Sequence, residues 1–143
     1  MIEDLSIEDV IETFSLFDDW EDKYRYVIEL GRMLPEFPEE AKTEENKVRG
    51  CTSQVWILPR LSDENPPRFY FVGDSDAHIV KGLVAITMLI YSGKTPQEAM
   101  EIDARAILDQ IGLSEHLTPS RSNGLFSMVT RIREMAAEAS QKT

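Results

Sequence analysis

Hydrophobic positions along this chain change their period twice. From Ile7 they recur at helical spacing, from Val48 they take on strand-like alternation, and from Ile79 the helical spacing returns. Ser6 with Asp9 forms a capping box in which Asp stands in for Glu, and predicts a short helix to about Phe14. Asp18 or Asp19 caps a second helix, where Trp20, Tyr24, Val27, Ile28 and Leu34 recur near the 3.6-residue period, and Pro35 stops it. The segment PEFPEEAKTEEN is polar, holds two prolines and predicts a surface connection of about a dozen residues.

Ser53–Leu61 (SQVWILPRL) and Arg68–Val72 (RFYFV) read as strands, with the turn residues SDENPP between them. An extended Lys47–Gly50 adds a third piece, so the expectation is a small three-stranded antiparallel sheet. Cys51 then lies at the first bend, and Gly50 permits the backbone angles the bend needs. Asp74, Ser75 or Asp76 caps the next helix, which runs through Tyr91 and ends at Gly93. Its apolar residues, Ile79, Val80, Leu83, Val84, Ile86, Leu89 and Ile90, cover most of its circumference and mark it as the central buried helix. Thr95-Pro96-Gln97-Glu98 is a second capping box, and a helix from about Asp103 closes at Gly112. A loop, LSEHLTPSRSNG, then leads into a last amphipathic helix bearing Leu125, Met128, Val129, Ile132 and Met135. Helices, strands, then helices describe an α+β fold, and the length of 143 residues suits one domain over 1–143.

Composition narrows the function classes. The single cysteine excludes an intramolecular disulfide framework and a cysteine-held iron–sulfur or zinc site. The chain opens MIEDLSIEDV, acidic where a targeting peptide is basic, and the longest apolar run, Leu83–Tyr91, is too short for a bilayer. The expectation is a cytoplasmic protein, or the mature form of an organellar one, with no membrane partner. Net charge is −11, and residues 1–45, with 15 acids and 4 bases, carry all of the excess. Such a surface repels phosphate backbones, so no nucleic-acid partner is expected.

The chemistry converges on Cys51. His78 and His116 are far apart, no phosphate loop or nucleophile elbow is present, and Ser120 and Ser122 with His116 form no recognisable triad. A lone cysteine is most often a small buried hydrophobe. Here, though, no Asp or Glu occurs from Lys47 to Ser62, while Lys47, Arg49 and Arg60 are basic, which favours the reactive thiolate. Burial opposes that effect and is expected to win in the free protein, with Val48, Val55 and Trp56 flanking the thiol and the helix Ile79–Ile90 as an apolar floor. A second acid-poor stretch, His116–Arg133, contains Arg121 within TPSRSNG. The residues permit a reactive thiol beside an interaction loop and name no reaction.

NKVRGCTSQVW, GDSDAHIVKGLVAI, YSGKTPQEA and LTPSRSNGLFSMV stand in the order and spacing of the SufE family, which the chain resembles over about residues 7–137. The resemblance implies a sheet-and-helix fold similar to iron–sulfur scaffold proteins. It also implies that Cys51 accepts persulfide sulfur from a pyridoxal-phosphate cysteine desulfurase, stimulates that enzyme and relays sulfur to a downstream acceptor or iron–sulfur scaffold. Arg121, Gln54 and Asp74 would face the desulfurase. The chain itself would need no cofactor and no metal, acting as a sulfur-transfer partner protein and not as a stand-alone enzyme. Two alternatives stay open: the same chemistry feeding another pathway such as tRNA modification, and a non-catalytic allosteric activator in which Cys51 is dispensable.

Overall fold

The computed structural model describes residues 5–142. Helix α1 (Ile7–Ser15) opens with the predicted capping box: the Asp9 amide donates to Ser6 Oγ and the Ser6 amide to Asp9 Oδ2, both at 3.1 Å. Helix α2 (Trp20–Arg32) is capped by Asp19, whose carboxylate accepts from the Asp22 amide at 2.9 Å. The connection after α2 is less superficial than its polarity suggests. It buries Phe37 and forms a 3₁₀ turn at Glu39–Ala41.

The sheet has two strands, β1 (Val55–Leu61) and β2 (Phe69–Ser75), antiparallel from Val55 opposite Ser75 to Leu61 opposite Phe69. The expected third strand is reduced to one bridge between Lys47 and Trp56. Val48 donates to the Val55 carbonyl at 2.8 Å and Ile57 to the Asn46 carbonyl at 2.9 Å, and the pairing ends there. Turns on both sides, at residues 44–46 and at Arg49–Gly50, leave no length for a ladder.

Helix α3 (His78–Tyr91) is buried on nearly every side, as its composition predicts. Its N-terminus is not capped as expected, because β2 extends to Ser75 and claims Asp74 and Ser75 for the sheet. Ala77 occupies the capping position with no side-chain bond, and the Asp76 carboxylate instead accepts from the Gln54 amide at 3.0 Å. Helix α3 packs on α2 and on the sheet, and reaches the C-terminal helix through Thr87, which lies 4.0 Å from Met128 Sδ. Between them run α4 (Pro96–Glu101), with its Thr95–Glu98 capping box intact, and α5 (Ala104–Ile111), closed by Gly112 in the left-handed region at φ +83°.

The segment read as a loop is largely helical. It comprises α6 (Leu113–His116) and the first turns of α7 (Pro119–Lys142). Thr118 starts α7: its Oγ1 accepts from the Arg121 amide at 3.4 Å, and Pro119 occupies a position whose missing N–H costs nothing. Ser120, Ser122 and Asn123 have low helix propensity, but burial of Gly124 and Leu125 carries the helix through them.

Candidate functional site

Cys51 follows the Arg49–Gly50 turn, on the short span that joins the Lys47 bridge to β1. Gly50 has φ +89°, a conformation that disfavours any side chain, and a Cβ there would stand 2.5 Å from Ser127 Oγ. The turn therefore lies directly on α7. One helical turn earlier, Gly124 leaves room for the thiol, with a would-be Cβ at 3.5 Å from Cys51 Sγ. The surface directly beneath the Cys51 sulfur is thus α7 at Gly124.

Cys51 is half-buried, and its Sγ donates to the Gly124 carbonyl at 3.5 Å. Burial pushes the thiol above its ordinary pKa. The carbonyl acts in the same direction chemically, since it can accept from S–H but offers nothing to a thiolate. The basic neighbours do little against this. Arg49 is 81% exposed and lies 3.8 Å from Glu44, which is also 3.9 Å from Lys47. Glu44 falls outside the acid-free stretch in sequence, yet the fold brings it back against the same cations. Its i,i+3 spacing to Lys47 was the available signal.

Arg121 stands three residues before Gly124 on α7, so the two share a helix face. Its Nη1 donates to the Tyr24 hydroxyl at 2.8 Å, a link to α2 that no local pattern announces. Among the described residues Arg121 has no carboxylate partner within ion-pair distance. Gln54 holds the other end of the Cys51 segment. Its amide donates to Asp76, its carbonyl accepts from the Asp76 amide at 3.3 Å, and its side chain is exposed. Asp74 is mostly engaged within the fold. Its carboxylate lies 3.4 Å from both Lys42 and Lys81, and Lys42 also sits 5.4 Å above the Trp56 ring. Arg121 thus shares a helix face with Gly124, the thiol's acceptor, Gln54 ends the Cys51 segment just before β1, and Asp74 braces the connection ahead of it.

Neither histidine hydrogen-bonds to Cys51 among the described residues. His116 stacks on Trp20 at 4.2 Å between ring centroids, and His78 is exposed at the start of α3. No group of three or more His, Cys, Asp or Glu side chains is set to hold a metal ion among the described residues. No described helix is long and apolar enough to cross a membrane.

The sequence profile of the SufE family, described as the Fe-S metabolism associated domain, matches residues 8–136. The chain belongs to the SufE family. This SufE-family chain is 57% identical over 132 residues to an uncharacterised SufE-like protein of Rhizobium etli, covering 92% of this chain and 89% of that protein. A second uncharacterised SufE-like protein, from Rhizobium meliloti, is 53% identical over 132 residues, with 92% and 94% covered. The fold is similar to the solution structure of a hypothetical protein from Thermus thermophilus, with a TM-score of 0.75 over 94% of this chain and 96% of that one. At 18% identity that likeness concerns the fold alone. Family membership ties this SufE chain to iron–sulfur metabolism and directs attention to its one thiol.

Proposed function

We propose that this protein, as one SufE-like domain, accepts persulfide sulfur from a cysteine desulfurase onto Cys51, stimulates that enzyme, and relays the sulfur to iron–sulfur cluster assembly. The observation that carries this reading is the placement of the chain's only thiol on a glycine turn that rests on α7 without being locked into the core. The pyridoxal phosphate that releases sulfur from free cysteine belongs to the partner. Here the chemistry needs one nucleophile. Cys51 loses its proton and its thiolate attacks the outer sulfur of the donor persulfide. The donor S–S bond breaks and the donor cysteine leaves as a thiolate, with no net redox change.

The resting site favours storage over attack. A half-buried S–H facing a carbonyl is protonated and slow to react with stray electrophiles. Docking of the desulfurase would draw the Gly50–Cys51 turn off Gly124 and expose the thiolate. Arg121, which meets Tyr24 but no carboxylate among the described residues, would meet the partner there, and Gln54 and Asp74 would contribute to the same surface, Asp74 mainly by bracing the turn. A reducing compartment such as the cytoplasm suits this chemistry, because the thiol has to remain free between transfers.

Incubation with an active cysteine desulfurase and cysteine, followed by intact-mass analysis, tests the reading. The expected product carries added sulfur on Cys51 alone, removable by reductant. An unlabelled protein beside a turning-over desulfurase would sink it. A Cys51→Ala variant that still stimulates the enzyme fully would replace sulfur acceptance with allosteric activation.

A further inference from the structure

Beside the Cys51 turn lies a groove of 680 Å³ to which the acceptor reading gives no role. Glu44, Lys47 and Arg49 form one wall, and Ser127, Arg131 and Glu134 on α7 form the other. Cys51 does not itself line the groove, but residues of both walls adjoin the thiol's immediate surroundings. Arg49 is two residues before Cys51, and a Cβ on the intervening Gly50 would stand 2.5 Å from Ser127 Oγ. On α7, groove-lining Asn123 adjoins Gly124, which carries the thiol's hydrogen-bond acceptor.

We propose that this groove binds a small zwitterionic thiol, an amino acid or short peptide, which takes the outer sulfur from persulfidated Cys51. The inference rests on the acceptor reading given above. Its basis is the pairing of free charges of both signs beside a transferable sulfur. The side chains of Arg131 and Glu134 make no ion pair or hydrogen bond among the described residues. The Glu44 contacts to Lys47 and Arg49, at 3.9 and 3.8 Å, are long, and the Glu44 and Arg49 side chains are exposed, so they exchange readily with a ligand's charges. Carboxylates of the ligand would meet Arg131 and Arg49, and its ammonium would meet Glu134 or Glu44. The volume lies within the range of small-molecule sites, about 300–1,000 Å³. A half-buried sulfur resists collision with neutral thiols from bulk solvent, so bound thiols gain a selective advantage. In the transfer, the ligand thiolate attacks the outer sulfur and the Cys51 S–S bond breaks. Cys51 leaves as a thiolate and recovers a proton from water, and the product is the ligand's persulfide. No external oxidant or reductant is consumed.

Two measurements test this. In the first, Cys51 is loaded by the desulfurase, verified by intact mass, and chased with glutathione, free cysteine or uncharged mercaptoethanol. The rate should saturate with glutathione or cysteine and rise linearly with mercaptoethanol. Arg131→Glu should slow the charged thiols by about fivefold or more, the effect of losing one ion pair and gaining a repulsion, while leaving mercaptoethanol unchanged. Saturation by only one of the charged thiols identifies the class as amino acid or peptide. The second measurement needs no persulfide. S-methylglutathione and S-methylcysteine are titrated onto the unmodified protein while the amide signals of Arg49, Ser127 and Arg131 are followed. Saturable shifts with at least one of them, lost in Arg131→Glu, support the groove site. Linear chase kinetics that are indifferent to Arg131→Glu, with no amide shifts, overturn it. Failure of Cys51 to load would count against the acceptor reading, and the titration would still decide whether the groove binds.

Discussion

Cys51 shows how little a residue's sequence neighbours fix its reactivity. Lys47 and Arg49 promise a stabilised thiolate, but the folded chain sets Glu44 against both and places a carbonyl under the sulfur. Burial raises the thiol's pKa, and neither the exposed Arg49 nor Lys47, both of them facing Glu44, reverses it. The expected outcome is a rate of alkylation by a neutral reagent that reaches half its maximum at higher pH than free cysteine, reverting to ordinary behaviour in denaturant. The linked effect on stability has a definite sign. A thiol whose folded pKa is raised contributes fully below its unfolded value, and the contribution is lost as pH rises through the folded one. A half-maximum at or below that of free cysteine would show that the cations prevail. The same residue also marks what could be read directly. A glycine before the only thiol, at a change of hydrophobic period, predicted a bend, and Gly50 is in the left-handed region there.

At the scale of elements, two glycines that look equivalent in sequence have opposite roles. Gly82 lies where α3 crosses α2, and a Cβ there would collide with the backbone carbonyl of Val27. Backbone cannot swing aside, so Gly82→Ala must push the helices apart, at about 1–3 kcal/mol or more. Gly124 lies inside α7, where a Cβ would meet Cys51 Sγ at 3.5 Å, an ordinary contact. Gly124→Ala removes a helix-interior glycine, worth about 0.5–1 kcal/mol in favour of alanine, and covers the thiol further. Thermal denaturation should therefore show a lower midpoint for Gly82→Ala and an unchanged or higher one for Gly124→Ala, with Cys51 alkylated more slowly in the latter. A destabilised Gly124→Ala would mean that the turn cannot tolerate a methyl group beneath it. The start of α7 illustrates a different limit. Serines, an asparagine and a proline read as loop, and only packing of Gly124 and Leu125 against the rest of the molecule makes the segment helical.

Across the whole molecule, the charge is as uneven in space as in sequence. The acid-rich first 45 residues build α1, α2 and the 3₁₀ connection, while the thiol face is formed mainly by the charge-balanced remainder. Some of those acids are useful where they stand: Asp9 and Asp19 cap helices. The sum nonetheless repels itself, and raising sodium chloride from 0.1 M to 1 M shortens the screening length from about 10 Å to about 3 Å. The melting midpoint should rise over that range. A fall would show that screened attractions, such as those joining Lys42, Asp74 and Lys81, outweigh the repulsion. Among the described residues the same asymmetry leaves Arg121 without a carboxylate partner, on the helix face that carries Gly124.

The sequence by itself determined the helices with strong caps and periodic faces, the buried character of α3, the bend at Gly50, and, through four motifs in register, the family. Those features depend on residues close to one another along the chain, or on composition alone. Tertiary structure decided the rest. It shortened the third strand to a single bridge, ran the last helix back to Pro119, joined Arg121 to Tyr24, and laid Cys51 against Gly124. The last two turn on partners far apart in sequence, 97 positions between Tyr24 and Arg121 and 73 between Cys51 and Gly124. Local propensity carries no information about which distant surface will cover a segment, and at Cys51 that surface sets whether the sulfur is held or offered.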